Sequence, residues 1–176
     1  MPCLEEADIN AKSFLVINKF LRPISTVLSL ELFLFDEMAE CYSTIKFSRL
    51  IKCRLCQCDS DWMDSLVDFL ANTPKLTYLI VDYQRTRRPC TASIAWRKMG
   101  SSYPECFLTS LEKFELIDYR GRDEEQELVE YILVNSIRLK TVTISMASKL
   151  KNKETIMEKL KAIRRVSRAS QLLFTT

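Results

Sequence analysis

A leucine-rich pattern recurs along the chain and limits the folds that the chain can adopt. Residues 111–116 read L-x-x-F-x-L with charged residues between the apolar ones, as expected for a short strand with one buried face. Five copies begin at residues 27, 50, 76, 111 and 139, at intervals of 23, 26, 35 and 28 residues. These intervals are irregular but centre on the roughly 20–29 residue period of leucine-rich repeats. The apolar positions are Val27, Leu30 and Leu32; Leu50, Cys53 and Leu55; Leu76, Leu79 and Val81; Leu111, Phe114 and Leu116; Leu139, Val142 and Ile144.

Apolar residues at helical spacing lie between these strand patterns. They predict helices at about residues 10–21, 61–72 and 153–166, and another after the acidic run at 123–127. Gly121 breaks the preceding strand, and the exposed amides at a helix start favour acidic side chains. A strand, a helix and a second strand in one sheet imply parallel strands. We therefore predict an α/β fold: a short, irregular leucine-rich-repeat solenoid with parallel strands on its concave face and helices on its convex face.

The composition argues against catalysis. The chain has 176 residues, of which 47% are hydrophobic, enough for one domain with a continuous core. It contains no histidine, so neither a Ser/His/Asp nor a Cys/His arrangement is available. Its two glycines, at positions 100 and 121, allow neither a dinucleotide-binding fingerprint nor a P-loop. We expect no enzyme activity and no cofactor.

Three closely spaced cysteines, Cys53, Cys56 and Cys58, raise the question of a metal site. Structural zinc sites use about four thiolate or imidazole ligands, and Cys90 and Cys106 are distant in sequence. Cys53 occupies a core position of its repeat, while Cys58 fits the turn position of the longer L-x-x-L-x-L-x-x-C template. The sequence therefore predicts structural cysteines and no metal.

Two basic segments leave an alternative open. Residues 84–103 are polar and basic without sustained periodicity, which predicts a loop. Residues 149–168 carry eight lysines and arginines against two glutamates. Such a segment could attract nucleic acid, but the net charge of the chain is only +3, and basic residues also suit the end of a helix. We do not expect nucleic-acid binding as the main role.

The ends and the hydropathy of the chain bear on its location. The first twelve residues lack the basic and apolar regions of a secretory signal. No stretch approaches the roughly 20 apolar residues that cross a bilayer. We expect an intracellular protein, cytoplasmic or nuclear, without membrane contact.

The turn at 119–121 and the E-x-E-L-V-x-Y-I-L helix at 125–133 are the most specific motifs of the chain. They resemble the FBD domain of plant F-box proteins, in which a leucine-rich-repeat region precedes that domain. Residues 96–107 resemble the junction before the domain, and 165–174, RVSRASQLLF, resemble its usual ending with Ser170 in place of a cysteine. Phe20–Leu32 is similar to the passage that opens the repeats.

The resemblance implies a division of the chain and a role. Residues 1–83 would form leucine-rich-repeat-like units, 84–103 a basic loop, and 104–176 an FBD domain that continues and ends the solenoid. Family members recruit substrates to ubiquitin ligases, and an F-box docks them on a Skp1-type adaptor. Residues 1–12 are too few for an F-box, so we do not expect direct adaptor binding. The chain would be a non-catalytic protein-interaction domain; the alternative is a non-ligase scaffold or a nucleic-acid-associated protein using the basic C-terminal helix.

The strand pattern predicts the partner-binding residues. Side chains between the core positions point to the concave face, where they should line up in rows across the strands. Tyr78 and Arg54 are the expected anchors, because those residue types dominate interface hot spots. The alternative is a solvated polar face without a partner. The predicted residues are Glu31, Lys52, Arg54, Tyr78, Ile80, Lys113, Glu115, Thr141 and Thr143, with Ser29 beside them.

Overall fold

A computed structural model describes residues 5–9, 23–34, 44–57, 62–84 and 103–176. Within these ranges the chain forms one sheet of seven strands in chain order, each parallel to its neighbours. The architecture is α/β and is compatible with a leucine-rich-repeat-like fold. The strands are Glu6–Ile9 (β1), Ser29–Leu34 (β2), Lys52–Gln57 (β3), Tyr78–Asp82 (β4), Lys113–Tyr119 (β5), Thr141–Met146 (β6) and Gln171–Thr175 (β7).

Four helices lie wholly within the described ranges. They are Trp62–Ala71 (α1), Glu105–Thr109 (α2), Asp123–Asn135 (α3) and Lys153–Ala162 (α4). Helices α1 and α3 agree with the sequence patterns, while the helix expected at residues 10–21 lies outside the described residues. Residues of all four helices belong to the same hydrophobic core as the strands.

The core side of the sheet is formed by the repeated apolar positions. The three apolar positions of each of the five L-x-x-L-x-L copies are at most 1% exposed. Successive strands place these residues in register, so that Leu30, Cys53, Leu79, Phe114 and Val142 form one continuous row. Alternation along each strand then sends the intervening side chains to the opposite face, which we call the polar face.

A recurring pattern of backbone hydrogen bonds joins neighbouring strand units. At or just before the start of each strand from β1 to β5, one carbonyl accepts two amides from the start of the following unit, at N to O distances of 2.8–3.1 Å. This repeated contact fixes the register of neighbouring strands before the regular ladder begins. The accepting carbonyls belong to Glu5, Leu28, Ile51, Thr77 and Glu112.

Strands β1 and β7 extend the sheet beyond the five strands that the sequence pattern predicts. Ala7 pairs with Leu30, so an alanine occupies a core position of β1. In β7, Leu172 and Phe174 pair with Val142 and Ile144. The first position of this copy, two residues before the strand, is Ala169. Alanine at one of the three positions makes both copies too weakly apolar to recognise by the leucine pattern.

The start of α3 is built around a buried carboxylate. Gly121 adopts a φ of +77°, a left-handed conformation that a side chain disfavours. The chain then enters the helix at Asp123, and Glu125 Oε2 accepts the backbone amides of Arg120 at 2.7 Å and Arg122 at 3.1 Å. The acidic run is therefore a helix cap, as the sequence predicts, with the added feature that Glu125 is fully buried.

The predictions for helix ends were less accurate. Helix α4 ends at Ala162, whereas the apolar periodicity continues to Val166. The chain turns away because Ile163 adopts an extended conformation and the Val166 amide donates to the Leu133 carbonyl at 3.1 Å. Helix α2 has only five residues, too few to show a helical period.

Candidate partner-binding face

The polar face carries rows of side chains that run across the strands. One row follows the register Ser29, Lys52, Tyr78, Lys113 and Thr141, and continues to Gln171. A second row, two residues further along each strand, joins Glu31, Arg54, Ile80, Glu115, Thr143 and Leu173. The structure thus places all of the predicted residues in the two rows that the sequence pattern indicates.

Tyr78 lies at the centre of the first row, among charged neighbours. The ammonium of Lys52, on β3, is 5.6 Å from the centroid of the Tyr78 ring, and that of Lys113, on β5, is 5.9 Å from it. Both distances allow cation–π attraction. The Tyr78 hydroxyl donates to Glu115 Oε2. Partial burial, together with this hydrogen bond, raises the pKa of Tyr78 to about 12, so the phenol keeps its proton at neutral pH.

Arg54 is held by an ion pair within the sheet. Its guanidinium donates to Asp82 Oδ2, and Asp82 is only 1% exposed. The other oxygen of Asp82 accepts the Gln84 amide at 2.8 Å. The hydrogen bond to Asp82 raises the pKa of Arg54 further above its usual range. Arg54, whose side chain is 33% exposed, is thereby fixed in position with part of its surface open.

Acidic side chains gather at the β1 end of the polar face. A cavity of about 300 Å³ lies there, with Glu6, Asp8 and Glu31 on one side and Lys52 and Arg54 on the other. Glu6 and Asp8 belong to β1, where they pair with Ser29 and Glu31. The face therefore changes from acidic at β1 and β2 to basic at β3.

A third row was missed by the sequence reasoning. It lies two residues beyond the second row and includes the buried Cys56 and Asp82. Strand alternation alone would have indicated it, had the pattern been extended past the last core position. Ile80 of the second row is only 6% exposed, so it offers little surface to a partner. The third row is Phe33, Cys56, Asp82, Ile117, Ser145 and Thr175.

The described cysteines are buried. Cys53 and Cys56 are both fully buried, and Cys106 Sγ lies 3.9 Å from the Leu70 carbonyl oxygen. Burial raises the pKa of the Cys106 thiol to about 12 and that of Cys53 well above its usual range. Both thiols are therefore protonated at neutral pH, a state unsuited to nucleophilic attack. Among the described residues no group of three or more metal-binding side chains comes together; Cys58 and Cys90 lie outside those ranges.

A second cavity, of about 390 Å³, lies at the carboxyl ends of β5 and β6. Asp118 has a φ of +64° there, next to a register shift between Ile117 and Tyr119. Arg120 Nε donates to Asp118 Oδ2 at 2.9 Å, so the charge of Arg120 is offset locally. Lys149 and Lys151 give the remaining wall of the cavity a positive charge.

Part of the basic C-terminal segment has contacts within the fold. The Lys161 ammonium is 5.7 Å from the centroid of the Phe174 ring in β7. Arg165 Nη1 donates to the Ser170 carbonyl at 3.1 Å, immediately before that strand. These two cations thus attach β7 to the end of α4. Residues 85–102 of the basic loop predicted at 84–103 lie outside the described residues.

No helix in the described part of the chain is both long enough and apolar enough to span a membrane.

Comparison with known proteins finds similarity to plant F-box proteins that carry an FBD domain. Residues 99–144 match the FBD family. An FBD-associated F-box protein of Arabidopsis thaliana is 41% identical over 99% of this chain and 41% of its own length. Two F-box/FBD/LRR-repeat proteins of the same plant are 36% and 31% identical, each over 99% of the chain and 42% and 41% of their lengths. The chain thus spans about two fifths of these relatives. No solved structure matches it.

Proposed function

We propose that this chain, which contains an FBD domain match at residues 99–144 and resembles F-box/FBD/LRR-repeat proteins, is a non-catalytic protein-interaction domain. Its role would be the recognition step of a ubiquitin-ligase substrate receptor inside the cell. The observation that carries the proposal is the polar face, where two rows of polar and aromatic side chains cross a continuous parallel sheet.

The architecture we propose is a leucine-rich-repeat solenoid in which the polar face is concave. Strands in chain order, a core position shared by every unit and the repeated two-amide carbonyl contact all support it. Residues 1–83, the loop at 84–103 and the FBD domain at 104–176 would then be parts of one stack. The unbroken hydrogen bonding from β4 to β5 supports this continuity across the boundary.

The residues proposed to contact a partner lie on the polar face. The most accessible of them are Lys52 and Lys113, whereas Arg54, Tyr78 and Glu115 are partly buried and fixed by their own contacts. Fixed side chains lose little conformational freedom on binding, which favours them as anchors. The full proposed set is Glu31, Lys52, Arg54, Tyr78, Ile80, Lys113, Glu115, Thr141 and Thr143.

Matched variants of the immobilised chain test this proposal. Thr143→Arg places a bulky cation in the second row, while Thr155→Arg makes the same chemical change on the exposed surface of α4. Proteins retained from plant extract by the wild type are compared with those retained by each variant, using quantitative mass spectrometry. Binding of each candidate is then repeated with purified protein.

The proposal predicts proteins that bind the wild type and Thr155→Arg but are lost with Thr143→Arg. Recovery of Skp1-type or cullin components with them would support the ligase assignment. If Thr143→Arg loses no partner, the polar face is not the binding surface. If salt-sensitive RNA or DNA is recovered in place of protein, the alternative role of the basic C-terminal segment replaces this one.

A further inference from the structure

Lys52, Tyr78 and Lys113 form a compact cluster in the middle of the polar face, which we call the Lys–Tyr–Lys clamp. Their strands are adjacent, so the two lysines flank the tyrosine in register. Each ammonium lies within 6 Å of the ring centroid, while both lysines are exposed. The clamp is therefore both organised and accessible.

The clamp carries positive charge that its immediate neighbours do not fully offset. In the described part of the chain neither lysine forms an ion pair, whereas Arg54 is paired with Asp82 and Lys140 with Glu112. Glu115 accepts the Tyr78 hydroxyl, and Glu6 and Glu31 line the same cavity as Lys52. Two lysines and the contacting Glu115 alone leave one positive charge, and Lys113 lies on the side of Tyr78 away from that cavity. The tyrosine ring also holds both ammonium groups within 6 Å of its centroid, so the two positive charges act on the same part of the polar face.

Other charges on the face favour a peptide over a nucleic acid. Glu6, Asp8 and Glu31 lie in the same rows, two to three strands from Tyr78, or about 10–14 Å at the usual strand spacing. A nucleic acid lying along the rows would bring phosphates against these carboxylates. A peptide avoids the repulsion, because it can place a negative side chain at the clamp and a positive one at the carboxylates.

We propose that the Lys–Tyr–Lys clamp binds one anionic side chain, carboxylate or phosphorylated, of an extended peptide segment in the protein partner. The proposal rests on the polar face being the partner-binding surface. An extended chain covers 10–14 Å in about three to four residues. The peptide therefore has a basic residue three or four positions from its anionic residue, and that basic residue lies over the carboxylates of β1 and β2.

Defined peptides test the clamp directly. The probes are fluorescein-labelled octapeptides with one arginine and, three residues away, glutamate, phosphoserine or glutamine, measured by fluorescence anisotropy at low salt. The wild type is expected to bind the glutamate or phosphoserine peptide about fivefold more tightly than the glutamine peptide, since an exposed charge pair contributes up to about fivefold and the clamp offers two such pairs. The glutamate and phosphoserine probes distinguish the two sources of negative charge.

Three variants locate the binding. Lys52→Gln/Lys113→Gln is expected to weaken binding of the acidic peptide about fivefold. The control Lys149→Gln/Lys151→Gln makes the same change in net charge at the other cavity and should alter binding less than twofold. Glu115→Gln keeps an acceptor for the Tyr78 hydroxyl but removes the nearby negative charge, so it should tighten binding about twofold. Thermal unfolding confirms that each variant is folded.

Four results would overturn the proposal: no binding of either acidic peptide by the wild type, equal binding of the glutamine peptide, equal loss in the control variant, or tighter binding of an RNA octamer. The experiments distinguish a wrong clamp from a wrong proposed function. If Thr143→Arg loses a protein partner while the lysine variants retain it, only the clamp is wrong. If Thr143→Arg loses none, the peptide titration still reports on the clamp.

Discussion

Glu125 is an unusual residue because its carboxyl group is buried and only partly hydrogen-bonded. Its Oε2 accepts two backbone amides, whereas Oε1 is buried without a hydrogen-bond partner. Burial raises the pKa of Glu125 to about 7, although the two amides act in the opposite direction. The folded protein therefore binds this proton more tightly than the unfolded chain, where the pKa is near 4.5.

This raised pKa predicts how stability depends on pH. Stabilisation from the protonated carboxyl is fully present below pH 4.5 and is lost as the pH rises through 7, a change of up to about 3 kcal/mol in the free energy of unfolding. Glu125→Gln keeps an oxygen for both amides and cannot ionise, so it should lack this decline. Urea denaturation between pH 5 and pH 8 measures it, with exposed Glu130→Gln as the control that keeps the decline. If the free energy of unfolding of Glu125→Gln falls with pH as steeply as that of the wild type, the decline does not come from Glu125.

At the residue scale, the sequence predicts which side chains share the polar face but not how they pair. Period-two alternation is enough to group Tyr78 with Lys52 and Lys113. The ion pair between Arg54 and Asp82 spans 28 positions and depends on the exact register of β3 and β4. The burial of Glu125 is likewise hidden, because an acidic residue at a helix start is ordinarily exposed.

At the element scale, two left-handed residues precede helices on adjacent units. Gly121, with φ of +77°, precedes α3, and Asn152, with φ of +55°, precedes α4. A Cβ at Gly121 would lie 3.2 Å from Ile156 Cδ1 and 3.4 Å from Leu150 Cδ1. The turn before α3 is therefore packed against the start of α4, and the positive φ together with this close packing disfavours a side chain at position 121.

Substitutions at these two positions should differ in their effects. Gly121→Ala adds a left-handed penalty and a close contact, so it should lower the free energy of unfolding by about 1–2 kcal/mol. Asn152→Gly relieves a left-handed conformation but increases the freedom of the unfolded chain, so it should change stability by less than about 0.5 kcal/mol. Chemical denaturation measures both. Equal stability of Gly121→Ala and the wild type would show that the turn adjusts freely.

The sequence predicts an element correctly where large apolar residues recur at the spacing of a strand or a helix. The copies at β2 to β6 have an apolar residue larger than alanine at all three positions, and these strands were predicted in register. β1 and β7 have alanine at one such position, and α2 is a single short turn, so these three were not recognised. Helix α4 was predicted too long because no glycine or proline marks its end; the contact of Val166 with Leu133, which comes from the fold, ends it.

At the scale of the whole molecule, the sheet is not uniform from one edge to the other. The core positions of β2 to β6 are almost completely buried, whereas Leu172 and Phe174 of β7 are only half-buried and Leu173 is 46% exposed. β1 has four residues and an alanine at a core position. The outer strands thus bury less apolar surface than the central ones.

Native-state hydrogen exchange should reflect this gradient. Amides in the central strands, such as those of Phe114 and Val142, should exchange at least about tenfold more slowly than those of β7, because outer strands open locally at lower cost. Amides of β1 should also exchange faster than those of β3 and β4. Uniform protection across all seven strands would instead show that the sheet opens only as one unit.

The crossovers that connect neighbouring strands differ in length, but their entropic costs are similar. Register partners on neighbouring strands are separated by 23 to 35 residues. Because the entropy of loop closure grows only with the logarithm of loop length, the longest crossover costs only about 0.4 kcal/mol more than the shortest. The segment between β4 and β5 can therefore change in length during evolution at almost no thermodynamic cost, while the strands on both sides keep their pairing.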